Sequence, residues 1–312
     1  MALLLIVAIL AVLVYDLFSE KQNTAQNIYE YQLDKFKQVD STTLCYKESQ
    51  QIKPSTNSIH SIAVDRNDNI YISGEKEVIK YNSNGDSLFA FPVSDTASCI
   101  SVAKSGDIFV GMKDHIEHYN SKGKLLKSWD KLGKSSYFTS VALGDTSVYV
   151  ADAGNKMIHR YNFSGVMIGE IGKKDKSKGI SGFFIPSPYF DVLIDKKDQV
   201  WGVNTGRHEF EAYTPAGELI TKWERTSMSI EGFSGCCNPS HAALLSDGDF
   251  VTAEKGIARV KIHQSSGDFK CVVAGPDQFI ESTIGLDLAV DSKDRILVLD
   301  PMKNEVRIFT KK

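Results

Sequence analysis

The sequence has no excess of basic residues, since 36 Lys and Arg stand against 39 Asp and Glu and the formal net charge is −3. Nucleic-acid binders need clustered positive charge against phosphates, so this balance argues against a nucleic-acid partner. The chain also lacks Cys-x-x-Cys-His, Gly-x-x-x-x-Gly-Lys, Gly-x-Ser-x-Gly and His-Glu-x-x-His. Covalent haem, a phosphate-binding loop, an esterase serine and a zinc-protease helix are therefore not indicated.

Charge is also absent from an N-terminal apolar run. Residues 1–15 contain no charged side chain, and Leu17 and Phe18 continue the run. A spanning helix needs about 17–25 residues and the apolar part of a cleavable signal about 7–15, so length leaves both readings open. No Ala-x-Ala site follows, and no nearby Cys could accept a lipid. We expect an uncleaved membrane anchor over residues 1–18, a polar helical stalk over 19–36, and a domain over 37–312 outside the cytoplasm, on the periplasmic or extracellular side.

Residues 37–312 carry an internal repeat, which is the most informative feature of the sequence. Short turns between apolar alternating segments each contain a glycine, as hairpin loops require, at Gly85, Gly123, Gly165, Gly217 and Gly267. Four residues earlier stand Tyr81, Tyr119, Tyr161, Tyr213 and His263, and three residues before those stand Val78, Ile116, Ile158, Phe210 and Val260. Each unit therefore reads apolar-x-x-aromatic followed by a tight turn.

Two further strand-like runs precede each turn. The first runs are IHSIAVD, CISVA, FTSVAL, FDVLID, HAALLS and LDLAVD, and the second are NIYIS, DIFVG, SVYVA, QVWGV, DFVTA and RILVL. Six units of four strands predict an all-β fold, a six-bladed β-propeller. The sixth unit lacks a fourth strand, and an unpaired sheet edge invites aggregation. We expect residues 39–53 to supply that strand and close the ring.

The third unit resembles the NHL repeat. Residues 150–172 read VADAGNKMIHRYNFSGVMIGEIG, which matches an apolar strand, Ala-Asp-x-Gly-Asn, a basic residue and apolar-x-x-aromatic. The resemblance extends in weaker form over residues 59–312 and implies the six-bladed fold. It also implies that Asp152 and Asn155 are structural, with side chains that bond turn amides.

Aligning the six units on their second strands places a set of polar or reactive residues at the start of the innermost strands. This set contains Ser61, Cys99, Thr139, Asp191, His241 and Asp287, with His60 beside them. We expect them to surround the mouth of the central channel. Mixed N, O and S donors suit a divalent metal ion such as Zn²⁺, with His241, Asp191 and Asp287 as ligands. The competing interpretation is the polar, water-filled channel that propellers have by construction.

The cysteines raise a second question of chemistry. Cys236 and Cys237 are adjacent in the segment that leads to His241. When oxidised, such neighbours form a vicinal disulfide that stiffens the loop or acts as a labile redox pair, and when reduced they offer thiolates to a soft metal. Cys45, Cys99 and Cys271 are an odd number, so at least one thiol should be free or pair between molecules.

Two long connections, residues 173–190 and 225–241, lead into first strands and should project at the channel mouth, where binding residues usually lie. We expect an apolar wall there from Phe183, Phe184, Tyr189, Phe190 and Phe233. Glu254 and Lys255 read as a surface ion pair. The histidines outside the ring read as surface or edge residues, namely His115, His118, His159, His208 and His263.

Binding is the first functional prediction. It describes a membrane-anchored propeller whose loop-bearing channel face recognises a partner protein or a small ligand. The alternative is a metal-dependent lyase or hydrolase, implied by a resemblance to NHL-type lyases and six-bladed lactonases that carry an axial metal. The ligands implied by that resemblance are His60, Cys99, Asp191, His241 and Asp287. A third interpretation is redox support through Cys236 and Cys237, which resemble the vicinal disulfide of quinoprotein propellers in that pair alone.

Overall fold

Six separate four-stranded antiparallel sheets contain the named strands of residues 33–312, the part of the chain that the computed structural model describes. We number these sheets as blades 1 to 6 along the chain. The first strands are β2 Ile59–Val64, β6 Cys99–Val102, β10 Phe138–Leu143, β14 Val192–Ile194, β18 His241–Leu244 and β22 Asp287–Val290. The second strands are β3 Ile70–Gly74, β7 Ile108–Gly111, β11 Val148–Asp152, β15 Val200–Asn204, β19 Phe250–Glu254 and β23 Ile296–Asp300.

The outer half of each blade is a second hairpin. The third strands are β4 Glu77–Tyr81, β8 Ile116–Tyr119, β12 Met157–Tyr161, β16 Glu209–Tyr213, β20 Arg259–His263 and β24 Glu305–Lys311. The fourth strands are β5 Ser87–Pro92, β9 Leu125–Ser128, β13 Met167–Ile171, β17 Leu219–Glu224, β21 Phe269–Ala274 and β1 Tyr46–Ile52. First strands of neighbouring blades contact each other around the whole ring, so they surround the axis. The all-β six-bladed propeller is confirmed.

The ring is closed by a strand from the N-terminal side of the domain. Strand β1 pairs with β24, with Tyr46 opposite Lys311, and becomes the fourth strand of blade 6. The prediction that residues 39–53 supply the missing strand is therefore confirmed. A disulfide between Cys45 and Cys271 also ties the start of β1 to β21 in blade 5. Cys99 stays a free thiol, as the odd cysteine count allows.

The apolar core is divided into six clusters, one between each pair of adjacent blades. Each blade thus buries both faces of its inner strands, which explains why β23 is buried throughout and has four consecutive apolar residues rather than an alternating pattern. The cluster between blades 4 and 5 is the most aromatic and includes Trp201, Phe210, Trp223, Phe233 and Phe250. Removal of this apolar surface from water drives the blades together.

The repeated turn glycine is required by both backbone and packing. Gly165 joins β12 to β13 with φ of +81°, a conformation that favours glycine. A Cβ at this position would lie 2.5 Å from Cδ1 of Trp129, which follows the outer strand of blade 2. Gly123 and Gly267 are equally close to an aromatic side chain of the preceding blade, so these three turns fit against their neighbours only without a side chain.

The predicted anchor over residues 1–18 and the predicted stalk up to residue 32 lie outside the described residues. The described end of the stalk forms a short helix, α1, over Leu33–Lys37. Within residues 33–312, no helix is both long enough and apolar enough to cross a bilayer. The anchor and the location outside the cytoplasm stay predictions.

Candidate functional site

A cavity of about 280 Å³ lies on the propeller axis, lined by the first strands of all six blades. We call the face at which these strands begin the loop face. At this end, equivalent register positions in the six blades hold Ser61, Cys99, Ser140, Asp191, His241 and Asp287, which we call the channel ring. Five of these six residues match the sequence prediction.

The prediction for blade 3 was wrong by one residue. The pairing of β10 with β11 shifts between Phe138 and Ser140, because Thr139 forms a β-bulge. Ser140 therefore takes the ring position, while Thr139 Oγ1 donates a 2.6 Å hydrogen bond to the carbonyl of Phe190. A single extra residue cannot be recognised in an apolar-polar pattern this short, so the sequence did not predict the bulge.

A continuous polar chain joins five members of the channel ring. His241 is central, with Nδ1 3.3 Å from Oδ1 of Asp287 and 3.7 Å from Oδ2 of Asp191. Ser61 Oγ donates to Asp287 over 2.7 Å, and Ser140 Oγ donates to Asp191. The chain thus runs from blade 1 through blades 6, 5 and 4 to blade 3.

Backbone amides occupy most of the remaining acceptor positions of the two carboxylates. Asp287 also accepts the amides of Ile62 at 2.9 Å and Leu288 at 2.8 Å. Asp191 accepts the amide of its neighbour in β14 at 2.9 Å and that of Ala242, in blade 5, at 2.8 Å. Each carboxylate therefore fastens its own blade to an adjacent one and is held in a fixed orientation.

The channel ring favours a protonated imidazole. Burial alone would lower the pKa of His241, but the charge of Asp287 and the hydrogen bond and charge of Asp191 outweigh it and raise that pKa. Burial raises the pKa of Asp287, and the charge of His241 offsets only part of this effect. The polar chain thus contains two acidic side chains and one imidazole.

Two of the five ligands that the lyase and lactonase resemblance implies, Cys99 and His60, do not join this polar chain. Cys99 lines the channel in blade 2, opposite His241, but burial raises the pKa of its thiol to about 12. It is therefore a neutral thiol and a poor nucleophile. His60 lies in the bulge of β2, outside the channel lining, where its Nε2 is 3.2 Å from Ser58 Oγ.

The channel ring is a poor fit for the predicted metal ion. In residues 33–312, no group of three or more His, Cys, Asp or Glu side chains is arranged to hold a metal. A divalent ion at His241, Asp191 and Asp287 would have to displace amide and hydroxyl donors that already bond the carboxylates. The metal site stays a prediction.

The loop face is less apolar than predicted. Phe183, Phe190 and Phe233 are buried in the clusters between blades, so they do not form a wall over the ring. Phe184 is 50% exposed, and Tyr189 is half-buried beside the channel. The error is physical, because aromatic residues in a long connection also serve to seal the gap between two blades.

Tyr189 connects the rim of the channel to the ring. Its aromatic ring meets that of His241 edge-on, with centroids 6.1 Å apart. The ammonium of Lys255 lies 4.9 Å from the centre of the same tyrosine ring. Nearby, Cys236 and Cys237 are free thiols with sulfurs 3.1 Å apart. Tyr189 was predicted as part of an apolar wall, but its contacts with His241 and Lys255 were not predicted. Lys255 was assigned to a surface ion pair.

A buried charge cluster in blade 5, Glu254 with Arg259 and Lys261, positions the loop of residues 225–240. The Oε1 atom of Glu254 is 2.7 Å from Nε of Arg259 and 2.7 Å from Nζ of Lys261. All three side chains are buried, so the surface assignment of Glu254 was wrong. The two cations also donate to the carbonyls of Ser229, Ile230 and Gly232. The alternating basic residues of β20 were the available signal.

The Asp-x-Gly-Asn turn of blade 3 is structural, as the NHL resemblance implies. Asp152 accepts the amides of Tyr137 at 2.9 Å and Asn155 at 3.0 Å, and lies 3.2 Å from His159 Nε2. Burial alone would raise the pKa of Asp152, but these hydrogen bonds outweigh it and lower that pKa to about 2. His115, His159 and His263 are buried, so their assignment to surface or edge positions was wrong.

Solved structures with the same fold include lyases and a WD40 domain. A catalytically inactive variant of virginiamycin B lyase from Staphylococcus aureus, crystallised with quinupristin, is 15% identical over 83% of this chain and 82% of its own, with a TM-score of 0.57. A streptogramin B lyase is 11% identical over 88% of this chain and all of its own, with a TM-score of 0.57. The WD40 propeller domain of Doa1 is 13% identical over 86% and 97% of the two chains, with a TM-score of 0.58.

These likenesses establish the fold and leave the activity open, because unrelated functions share the propeller. No family model matches the sequence, and no curated protein is similar to it. The NHL assignment stays a prediction. The chain is similar in architecture to both the lyases and the WD40 domain, and it is a six-bladed β-propeller.

Proposed function

We propose that the protein is a binding module whose loop face recognises a partner and whose channel ring receives a small cationic group of that partner. The observation that carries this proposal is the placement of His241 between two carboxylates that the backbone holds rigidly. Two acids against one imidazole leave negative charge at the mouth of a narrow channel. Such a site attracts a cation through its electrostatic field, without the direct ligation by carboxylate oxygens that a metal ion would need, and its fixed geometry reduces the free energy needed to order it.

The size of the cavity limits the group that can enter. At about 280 Å³ it lies just below the usual range of about 300–1,000 Å³ for small-molecule pockets. A single ammonium or guanidinium side chain, or a small free amine, suits this volume. The exposed ring of Phe184 on the loop face adds apolar contact area for the rest of the partner.

We further infer that the propeller belongs to the NHL type and stands outside the cytoplasm on an N-terminal anchor. The Asp152 turn supports the first inference, and the apolar residues 1–15 support the second. The Cys45–Cys271 disulfide fits an oxidising compartment. These inferences predict that the full chain sediments with membranes and that alkaline carbonate does not release it.

Binding of n-butylamine to the full chain tests the channel proposal by calorimetry. We expect a dissociation constant on the order of 1 mM for so small a ligand. Asp287→Asn should weaken binding about tenfold, because it removes the charge and keeps the side-chain shape. Asp130→Asn makes the same change at an exposed site outside the ring and should have no effect. Equal binding of butyrate, or unchanged binding to Asp287→Asn, would contradict the proposal.

Elemental analysis of protein purified without chelator decides between binding and metal chemistry. Sub-stoichiometric metal in the wild type agrees with the binding proposal. A stoichiometric metal that is lost in His241→Ala would replace it with the metal-dependent lyase or hydrolase.

A further inference from the structure

Cys236 and Cys237 place two adjacent thiols on the loop face. Cys236 is exposed, whereas Cys237 is buried, with 1% of its surface accessible. Their sulfur atoms are 3.1 Å apart, so the thiols already touch. A disulfide needs about 2.05 Å, and the remaining approach is about 1 Å. The sulfur of Cys236 is thus accessible to a reagent in solution, whereas the sulfur of Cys237 is shielded but in contact with it.

The loop that carries the thiols is fastened on both sides. Before the pair, Arg259 and Lys261 hold the carbonyls of residues 229, 230 and 232. After the pair, Asn238 donates to the carbonyl of Ser234 at 2.6 Å and accepts the amide of Lys255 at 2.9 Å. A loop held in this way keeps the two sulfurs at high effective concentration.

The other cysteines of the protein behave differently. Cys45 and Cys271 are joined in a disulfide, and this oxidised pair fits an oxidising environment. Cys99 is buried in the channel ring away from other thiols. The Cys45–Cys271 disulfide and the buried Cys99 thiol therefore serve as internal references for the oxidation state of Cys236 and Cys237.

We propose that Cys236 and Cys237 form a thiol–disulfide exchange site that transfers two electrons to an external disulfide. The Cys236 thiolate attacks one sulfur of that disulfide, which forms a mixed disulfide and releases the first thiolate of the partner. The Cys237 thiolate then attacks the Cys236 sulfur, which closes the vicinal disulfide and releases the second. The protein loses two electrons and two protons, and the partner disulfide becomes two thiols.

The order of these steps follows from exposure and environment. Only Cys236 offers its sulfur to a large partner, so it makes the first attack. Burial raises the pKa of the Cys237 thiol, against the opposing effects of the Ser187 hydroxyl and the Lys255 ammonium. Cys237 is therefore the resolving thiol, which acts once its neighbour carries the mixed disulfide.

Equilibration of the full chain with mixtures of reduced and oxidised glutathione tests the proposal. After acid quench and denaturation, alkylation followed by mass spectrometry counts the free thiols. We expect the count to fall from three to one in a single transition, with loss of two hydrogen atoms and no bound glutathione. The pair Cys45–Cys271 should remain oxidised throughout and serves as an internal reference.

Variants separate the vicinal pair from the shielded thiol. Cys99→Ser should keep the transition, with the count falling from two to none. Cys236→Ser should abolish it, and Cys237→Ser should instead trap one glutathione on Cys236. Phenylarsine oxide, which bridges close dithiols, should block two thiols in the reduced wild type and in Cys99→Ser but none in Cys236→Ser. Independent glutathione adducts on both cysteines, or failure to oxidise in pure oxidised glutathione, would overturn the proposal.

Discussion

Blades 3 and 5 use a carboxylate at the same structural position for different purposes. Asp152 ends β11 in blade 3, and Glu254 ends β19 in blade 5. Asp152 bonds turn amides next to its own strand. Glu254 instead neutralises Arg259 and Lys261, which reach the loop of residues 225–240.

The difference shows that the third strand decides what the carboxylate binds. At the equivalent position of that strand, blade 3 has His159 and blade 5 has Lys261. A histidine leaves the carboxylate oxygens available to amides of the turn. Arg259 and Lys261 both bond the carboxylate of Glu254 and still have donors left, which then bind loop carbonyls. The same framework thus builds a local turn in one blade and anchors the loop of residues 225–240 in another.

Removal of the Glu254 charge should reduce the free energy of unfolding more than any other change to these two carboxylate sites. Glu254→Gln leaves two buried cations with no counter-charge, and we expect a loss of about 3–5 kcal/mol in the free energy of unfolding. Urea denaturation of the full chain measures it. The control Glu231→Gln, an exposed residue of the same loop, should change stability by less than about 0.5 kcal/mol. Equal effects of the two substitutions would mean that the buried cluster does not stabilise the fold.

Substitution of Asp152 should have a smaller, pH-dependent effect. Because the pKa of Asp152 is lowered to about 2, its contribution is present above its ordinary pKa of 3.8 and is lost as pH falls towards 2. Asp152→Asn should therefore lower stability at pH 7 by about 1–2 kcal/mol once screening is allowed for. Thermal unfolding of the wild type and variant between pH 2 and pH 7 checks this, and curves that stay parallel would contradict it.

The pH dependence near Lys261 should be the smallest effect when it is measured over a single pH unit. Burial, opposed by Glu254, lowers the pKa of Lys261 to about 8, below its ordinary value of 10.5. The unfolded chain therefore binds more protons between these values, and stability should rise with pH by at most about 1.4 kcal/mol per unit. Lys261→Met removes the titrating group, so the difference between wild type and variant isolates this slope. A difference that is flat from pH 8 to pH 10 would contradict the assignment.

The fold was predictable because its signal is repeated six times. Turn glycines such as Gly165 and aromatic residues such as Tyr161 recur at fixed spacing, and each copy confirms the others. Ring closure was predictable as well, since the missing strand of blade 6 left an edge that only residues before blade 1 could cover. Periodicity and edge protection are both properties of the linear sequence.

The candidate site was predictable only in part, because its details depend on local irregularities and on contacts between blades. The bulge at Thr139 moved the ring position to Ser140. The burial of Phe233 and the pairing of Glu254 with Lys261 depend on how the loop of blade 5 packs, which strand patterns do not encode. The hydrogen-bonded state of Asp191 and Asp287 likewise depends on amides from other blades.

The disulfide between Cys45 and Cys271 has a mechanical consequence. It encloses strand β1, blades 1 to 4 and blade 5 as far as the middle of β21 in one covalent loop. When tension is applied between residue 44 and residue 312, the load passes through the sulfur atoms and then along residues 272–312. Only that segment can be drawn out, by roughly 140 Å at full extension. The channel residues of blades 1 to 5, including His241, bear no load until the disulfide is reduced.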